Sequence, residues 1–378
     1  MTTNLLTVFL FSYFFSLIGD RVPSLGHNVW GKKKANFIVM AIPTAIMLLF
    51  SLLRNNIGDT FYYTYTYDLN IENGIVQPQF GSKAFLFETM QYLLQKSGFE
   101  SHSLVTVCSL LTIIPMALFL RNYAFSFDTA VFLFFTTGLY TSTMNGIRQY
   151  VATGILLMGT RFLFSPKKSD FFKYLILIFI AYLIHSSALV MIPLYFLCRQ
   201  RAWSLSTFAI IGGGMLALFF VSMFMPSFMD MLQDGDYEIY TQGWFDEGSR
   251  ETGTEIFRIL FNCLHVALSI NFSKEIRSVS PVCDILINLS VVHAAIYMLA
   301  GYNWIFARFA FYTAPYVILL LSLIFGICLK QKRNQALYVL LIAAYLVFFV
   351  KEAYATGMDL YSSDFFTPNN NTWFEFLR

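Results

Sequence analysis

Long apolar runs separated by short polar breaks dominate this chain. They fall at residues 4–18, 35–53, 103–120, 129–144, 147–164, 171–184, 186–198, 203–225, 254–271, 282–300, 304–329 and 335–350. A membrane crossing takes about 20 residues, so the pattern predicts an all-α, polytopic integral membrane bundle of about twelve transmembrane helices. Polar residues at Asn145 to Gln149 and His185 to Ser187 interrupt two longer stretches and turn each into a tight hairpin. Segment 82–97, SKAFLFETMQYLLQKS, has apolar residues at helical spacing and predicts an amphipathic helix lying in the outer interface. It sits inside a long polar outer segment, 54–101. A second outer loop, 226–253, is acidic. With no internal repeat and no linker, residues 1–378 read as a single transmembrane domain. The first run opens at Leu5 without a basic flank or a small-residue cleavage site, so it reads as a retained helix.

Composition agrees with the pattern. The chain is 57% hydrophobic and 12% charged, where a soluble domain carries about 25% charged residues. Phe (42) suits lipid-facing surfaces and Tyr (22) suits headgroup belts. The five cysteines stand singly in or beside apolar runs and suggest neither a metal site nor a disulfide framework.

Charge sets the expected orientation. Of the 25 basic residues, 16 share one set of loops, from Arg21 and Lys32–Lys34 to Lys330, Lys332 and Arg333. That side is expected to be cytoplasmic. Lysine divides nine to three in its favour, but arginine divides only seven to six. Arg54, Arg148, Arg258 and Arg308 lie within or at the outer ends of different helices, where the topology rule disfavours them.

Four polar clusters fall on this expected outer side. The first runs from Arg54 through Gly58 and Asp59 to Tyr62. An Asp can take a proton, and an Arg can grip phosphate with a two-pronged fork. The second is Asn145, Gly146, Arg148 and Gln149; an arginine in an apolar run needs a partner or a wet cavity. The third is His185, Ser186 and Ser187, which suits hydrogen bonding to a polar ligand better than a nucleophile and base, since adjacent residues seldom have that geometry. The fourth is Tyr302, Asn303 and Trp304 with Arg308, an interface belt or a sugar-stacking platform. Arg258 is a weaker candidate, with Glu255 three residues before it on the same helix. His265 and His293 lie deeper, where hydrogen bonding between helices is the favoured reading. No phosphate-binding glycine loop, zinc-protease motif, dinucleotide fingerprint or nucleic-acid patch is present.

The order of these clusters resembles the EpsG family of exopolysaccharide polymerases, a Wzy-like group. Arg54 to Tyr62 resembles its Arg-x-x-x-Gly-(Thr)-Asp-Tyr segment. Arg148-Gln149, with Ala152 and Gly154, resembles its central Arg-Gln pair. His185-Ser186-Ser187-Ala188 resembles its His-(Lys/Ser)-Ser-Ala turn, and Arg308, Tyr312 and Pro315 its late Arg-Tyr-Pro series. Two departures stand out. The first motif reads Gly-Asp-Thr-Phe-Tyr, and Gln77-Pro78-Gln79-Phe80-Gly81 replaces a Glu-Pro-Gly-like segment, so a carboxylate role there passes to Glu88 or is lost.

The resemblance implies a glycosyltransferase of the bacterial inner membrane, acting on its extracytoplasmic side. It would move a growing glycan from undecaprenyl pyrophosphate onto a new lipid-linked repeat unit. Beyond these substrates and membrane lipid, a chain-length regulator is an implied partner; no cofactor, metal or nucleic acid is. On that reading Arg54, Arg148 and Arg308 hold pyrophosphate, and Asp59 and His185 serve the acceptor hydroxyl. Gln149, Ser186 and Ser187 hold sugar, with Tyr62, Asn145, Arg258, Tyr302 and Trp304 as further binding residues. A flippase or transporter of lipid-linked sugar, an O-antigen ligase and a surface-glycan acyltransferase are the alternatives.

Overall fold

The computed structural model describes residues 3–22, 24–214, 216, 254–357 and 360–363. The described residues are helical, with one isolated antiparallel bridge between His27 and Lys33. They divide into two units. Unit 1 holds residues 1–189 and 325–378, and unit 2 holds 190–324.

Unit 1 begins with α1 (Thr3–Arg21) and α2 (Phe37–Leu52), the latter capped by Asn36, whose side-chain oxygen accepts the backbone N–H of Ile38 and Val39. Two helices follow in the polar segment, α3 (Thr60–Glu72) and α4 (Phe85–Lys96). The second is the predicted amphipathic helix. The first was not expected, because its apolar positions in TFYYTYTYDLNIE follow no helical period. Next come α5 (His102–Tyr123), α6 (Phe127–Thr136), the single turn α7 (Leu139–Ser142), α8 (Ile147–Met158), α9 (Thr160–Phe164) and α10 (Asp170–Tyr182). A 3-10 turn (Ser186–Val190) leads out of the unit, and α17 (Gln335–Ala355) completes it.

These helices give unit 1 two chemically different ends. At one, His102 Nε2 meets the carbonyl of Leu52 at 2.7 Å, joining the start of α5 to the end of α2. The late residues close on the same end: Tyr361 donates its hydroxyl to Phe50 O at 2.9 Å and stacks on the Phe50 ring, and Ser362 N–H donates to Asn56 Oδ1 at 2.8 Å. At the other end, Arg121 Nε donates to Ala35 O at 2.9 Å, and the Tyr123 and Phe164 rings meet. Arg54 and Arg148 lie at the first end, and Lys32 to Lys34 at the second.

Unit 2 contains α11 (Met191–Cys198), α12 (Leu205–Gly214), α13 (Ile256–Asn271), α14 (Ser273–Val279), α15 (Val282–Ala300), a 3-10 helix (Trp304–Tyr312) and α16 (Ala314–Lys330), whose last residues belong to unit 1. Asn288 ties it together by donating to Cys198 O and Gln200 O and accepting from the Thr207 hydroxyl.

Among the described residues three helical stretches are long and apolar enough to cross a membrane: α5, α15 and Lys332–Ala355. They become five if α13 with α14, bent by 77°, and Trp304–Tyr312 with α16, bent by 66°, each form one crossing. The protein is therefore a helical membrane protein. Four further apolar helices are shorter, at Phe37–Leu52, Phe127–Thr136, Ser186–Cys198 and Leu205–Gly214. The expected run 304–329 is broken at Thr313, just ahead of Pro315, which has no N–H with which to continue the preceding helix. The acidic loop 226–253 and the end of run 203–225 lie outside the described residues.

Candidate functional site

Three of the four clusters meet at the first end of unit 1. The loop between α2 and α3 carries Ile57 at φ 79° and Gly58 at φ 57°. A side chain at residue 58 is excluded twice, by this left-handed backbone and because a Cβ would lie 2.4 Å from Met144 O. The close approach lets Asp59 Oδ2 accept the backbone N–H of Gly146 at 2.7 Å. Gly146, itself at φ 72°, opens α8. One carboxylate thus joins the first cluster to the second at the start of the helix carrying Arg148 and Gln149.

Arg54 takes a different place from that expected of a pyrophosphate ligand. It is only 1% exposed. Its Nε donates to Thr60 Oγ1 at 2.7 Å, and Nη1 donates to Ser109 Oγ and Ser51 Oγ at 3.1 Å and to the Ser51 carbonyl. The guanidinium binds the end of α2, the start of α3 and the middle of α5 into one block. In this conformation it braces the site from beneath.

Arg148 is the more open cation. Its Nε approaches Ile184 O at 3.4 Å, and the guanidinium carbon lies 5.2 Å from the centre of the Phe87 ring. Phe87 belongs to α4, which is tied to the third cluster by a 2.8 Å bond from Leu86 N–H to Leu183 O. Arg148 Nη2 is buried and has no hydrogen-bond partner among the described residues. Tyr62 is close enough to feel this charge: burial raises its phenol above the usual value, and Arg148 pulls it back.

Gln149 Nε2 donates to Ser187 Oγ at 3.1 Å, joining the second cluster to the third. Ser187 Oγ lies 2.8 Å from His185 Nδ1, and the Ser187 N–H also points at Nδ1, at 3.3 Å. A ring nitrogen approached by a backbone N–H is an acceptor, so neutral His185 carries its proton on Nε2. The serine hydroxyl then completes a relay in which Gln149 donates to Ser187 and Ser187 donates to His185. The expectation that residues so close in sequence lack a serine–histidine geometry is corrected here: the 3-10 turn folds Ser187 back onto the ring. Gln149 Oε1 is buried with no partner among the described residues. Ser186 is half-buried beside this relay, and Asn145 is exposed ahead of α8.

The fourth cluster lies in unit 2. Arg308 is nearly buried, 5.4 Å from the Trp304 ring, and Asn303 caps the 3-10 helix by accepting Ile305 N–H. Tyr302 is exposed. Arg258 accepts Asn262 Nδ2 at its carbonyl, 2.9 Å away. The two deep histidines are pins between helices. His293 meets Thr313 Oγ1 at 2.9 Å and Asn262 Oδ1 at 3.1 Å, and His265 meets Ser290 O at 3.0 Å. No group of three metal-ligating side chains occurs among the described residues.

Sequence reasoning missed Phe87, the floor under Arg148, and Ser109, the far acceptor of Arg54. Nothing local marks Ser109, which lies 55 residues from Arg54. Phe87 has a signal in the amphipathic pattern of segment 82–97, which predicts an interfacial helix and not a partner for Arg148. No curated protein and no solved structure matches the chain. The sequence profile of the EpsG family matches residues 37–368, nearly the whole chain. The matched span contains all four clusters, and the chain belongs to the EpsG family, a Wzy-like polymerase family.

Proposed function

We propose that this protein is a Wzy-type polysaccharide polymerase, a membrane glycosyltransferase that extends lipid-linked glycans. The donor is a glycan on undecaprenyl pyrophosphate, the acceptor is a new lipid-linked repeat unit, and the reaction takes place at the outer leaflet. About twelve crossings, some built from broken helices, would set the first end of unit 1 there.

The observation that carries this reading is Arg148. It is a permanent cation on an aromatic floor, with a buried donor atom unmet within the described chain. In the transfer, the acceptor hydroxyl attacks the anomeric carbon of the donor. The new glycosidic bond forms as the bond to pyrophosphate oxygen breaks, and negative charge grows on the leaving group. A fixed guanidinium lowers the barrier where that charge develops. His185, with its proton on Nε2, is suited to donate to a phosphate or sugar oxygen, and Gln149 and Ser187 hold that ring state. The hydroxyl proton goes to Asp59, which also anchors α8. Arg54 positions the loop that carries Asp59 and does not itself grip pyrophosphate.

Incubating the purified protein with its lipid-linked repeat unit, and resolving products on a gel, tests the reading. A ladder is expected from the wild type. Arg148→Lys is expected to lose at least about 100-fold of the rate while staying folded, the scale for losing a fixed donor to developing charge. An undiminished ladder from the variant would remove Arg148 from the reaction. No ladder from the wild type with the native repeat unit would favour transport of the lipid-linked sugar.

A further inference from the structure

The second end of unit 1 holds a charged cavity that the polymerase reading does not use. The loop between α1 and α2 folds over the turn between α5 and α6. Trp30 Nε1 donates to Tyr123 O at 2.7 Å, and Asn28 Nδ2 donates to Ala124 O at 2.8 Å. Asn28 Oδ1 accepts the backbone N–H groups of Trp30 and Lys32, both at 3.0 Å. The loop is therefore preformed. Beneath it lies a cavity of about 340 Å³, within the size range of small-molecule sites.

Its lining contains Arg21, Lys32, Lys33, Lys34 and Arg121. Two carboxylates, Asp20 and Asp128, are present too, but they are bound to each other's surroundings. Ser126 Oγ lies within hydrogen-bond distance of both, and Asp128 N–H donates to Asp20 Oδ2 at 3.0 Å. None of the five cations forms an ion pair among the described residues. Lys32 sits 3.5 Å above the Phe125 ring, with Lys330 also near that ring. Burial and the Lys330 charge hold the Lys32 ammonium below its usual pKa. Five cations around a concavity, with their acids otherwise engaged, leave a net positive field inside a shaped site.

The surroundings indicate the kind of anion. The loop and the first turn of α2 expose large apolar side chains: Leu25 is 97% exposed, Ile38 79% and Phe37 58%. A soluble anion has no use for this surface, whereas acyl chains do. We propose that the cavity binds the phosphate group of an anionic membrane lipid. The headgroup lies among Arg21 and Lys32 to Lys34, and the chains run along Leu25, Phe37 and Ile38. This site is independent of the polymerase reaction.

Native mass spectrometry of the full-length protein, equilibrated with equal amounts of phosphatidylglycerol and phosphatidylcholine, tests the proposal. The wild type is expected to retain the anionic lipid, and the triple variant K32Q/K33Q/K34Q to retain about tenfold less or lower still, since each basic residue near a membrane surface adds to anionic-lipid binding. The single exposed-site variant Lys33→Glu gives a smaller loss in the same direction if the triple variant does not fold. Equal retention of the two lipids by the wild type, or equal retention of phosphatidylglycerol by wild type and variants, overturns the proposal. A third arm adds inorganic phosphate and follows lysine acetylation. Protection of Lys32–Lys34 by phosphate without retained lipid overturns the lipid source and leaves a site for free phosphate.

Discussion

The two ends of unit 1 handle positive charge in opposite ways. At the first, Arg54 is sealed and its Nε and Nη1 donate to hydroxyls and a carbonyl from three helices. At the second, the lysines ring an open cavity and pair with no carboxylate within the described chain. A cation held by several short bonds fixes geometry, whereas a cluster without counter-charge attracts whatever anion reaches it. The second end mixes three lysines with Arg21 and Arg121. The planar arginine fork satisfies several acceptors at once, and lysine supplies a hydrated point charge.

Substitutions at each end sharpen this contrast. The largest effect is expected at Arg54. Arg54→Met removes a charge-assisted brace shared by three helices and leaves a cavity partly lined by polar groups, a loss of about 3 kcal/mol or more. Arg54→Lys restores charge without the fork and is expected to recover only part of it. Thermal unfolding alongside the ladder assay decides the role: a bracing residue loses stability and activity together, while a pyrophosphate ligand loses activity at unchanged stability. Gly58→Ala comes next. Left-handed strain and contact with the Met144 carbonyl together are expected to cost about 2–3 kcal/mol, seen as a lower unfolding temperature. A variant as stable as the wild type would mean the loop need not touch residues 144–146.

The smallest effect is expected at the lysine end and depends on pH. Asp20 is pushed up to about 6 from 3.8, first by burial and then by the neighbouring Asp128 charge. The folded state holds this proton more tightly than the unfolded chain. Its contribution is therefore full below pH 3.8 and lost as pH rises through 6. Asp20→Asn, which keeps an oxygen to accept from Ser126 and Asp128, is expected to raise the unfolding temperature at pH 7.5 and to give little gain near pH 4. A gain of equal size at both pH values would place its origin outside the Asp20 charge.

Much of the helical architecture was legible in the apolar runs. The run 282–300 coincides with α15, and 103–120 falls within α5. Hydropathy reports the cost of moving residues into lipid and says little about where a helix bends. The breaks at Thr313 and between α6 and α8 depend on local backbone chemistry inside apolar runs. The helix α3 escaped because its tyrosines and threonines are neither apolar nor periodic. At the site, the residue types were readable and the partnerships were not. Asp59 and Gly146 are 87 residues apart, and only folding shows that this carboxylate accepts from the start of α8. That Ser109 faces Arg54 is likewise invisible in the sequence.

Closure by Tyr361 and Ser362 bears on how the protein is made. Phe50, Asn55 and Asn56, at the end of α2 and in the loop after it, take their partners Tyr361 and Ser362 from some three hundred residues later in the sequence. Without them the Arg54 loop lacks its final wall, however well the intervening helices have inserted. A chain stopped before Tyr361 would lack the bonds to Phe50, Asn55 and Asn56 that close this end. The Arg54 loop is thus held in part by contacts that no segment near it in sequence supplies.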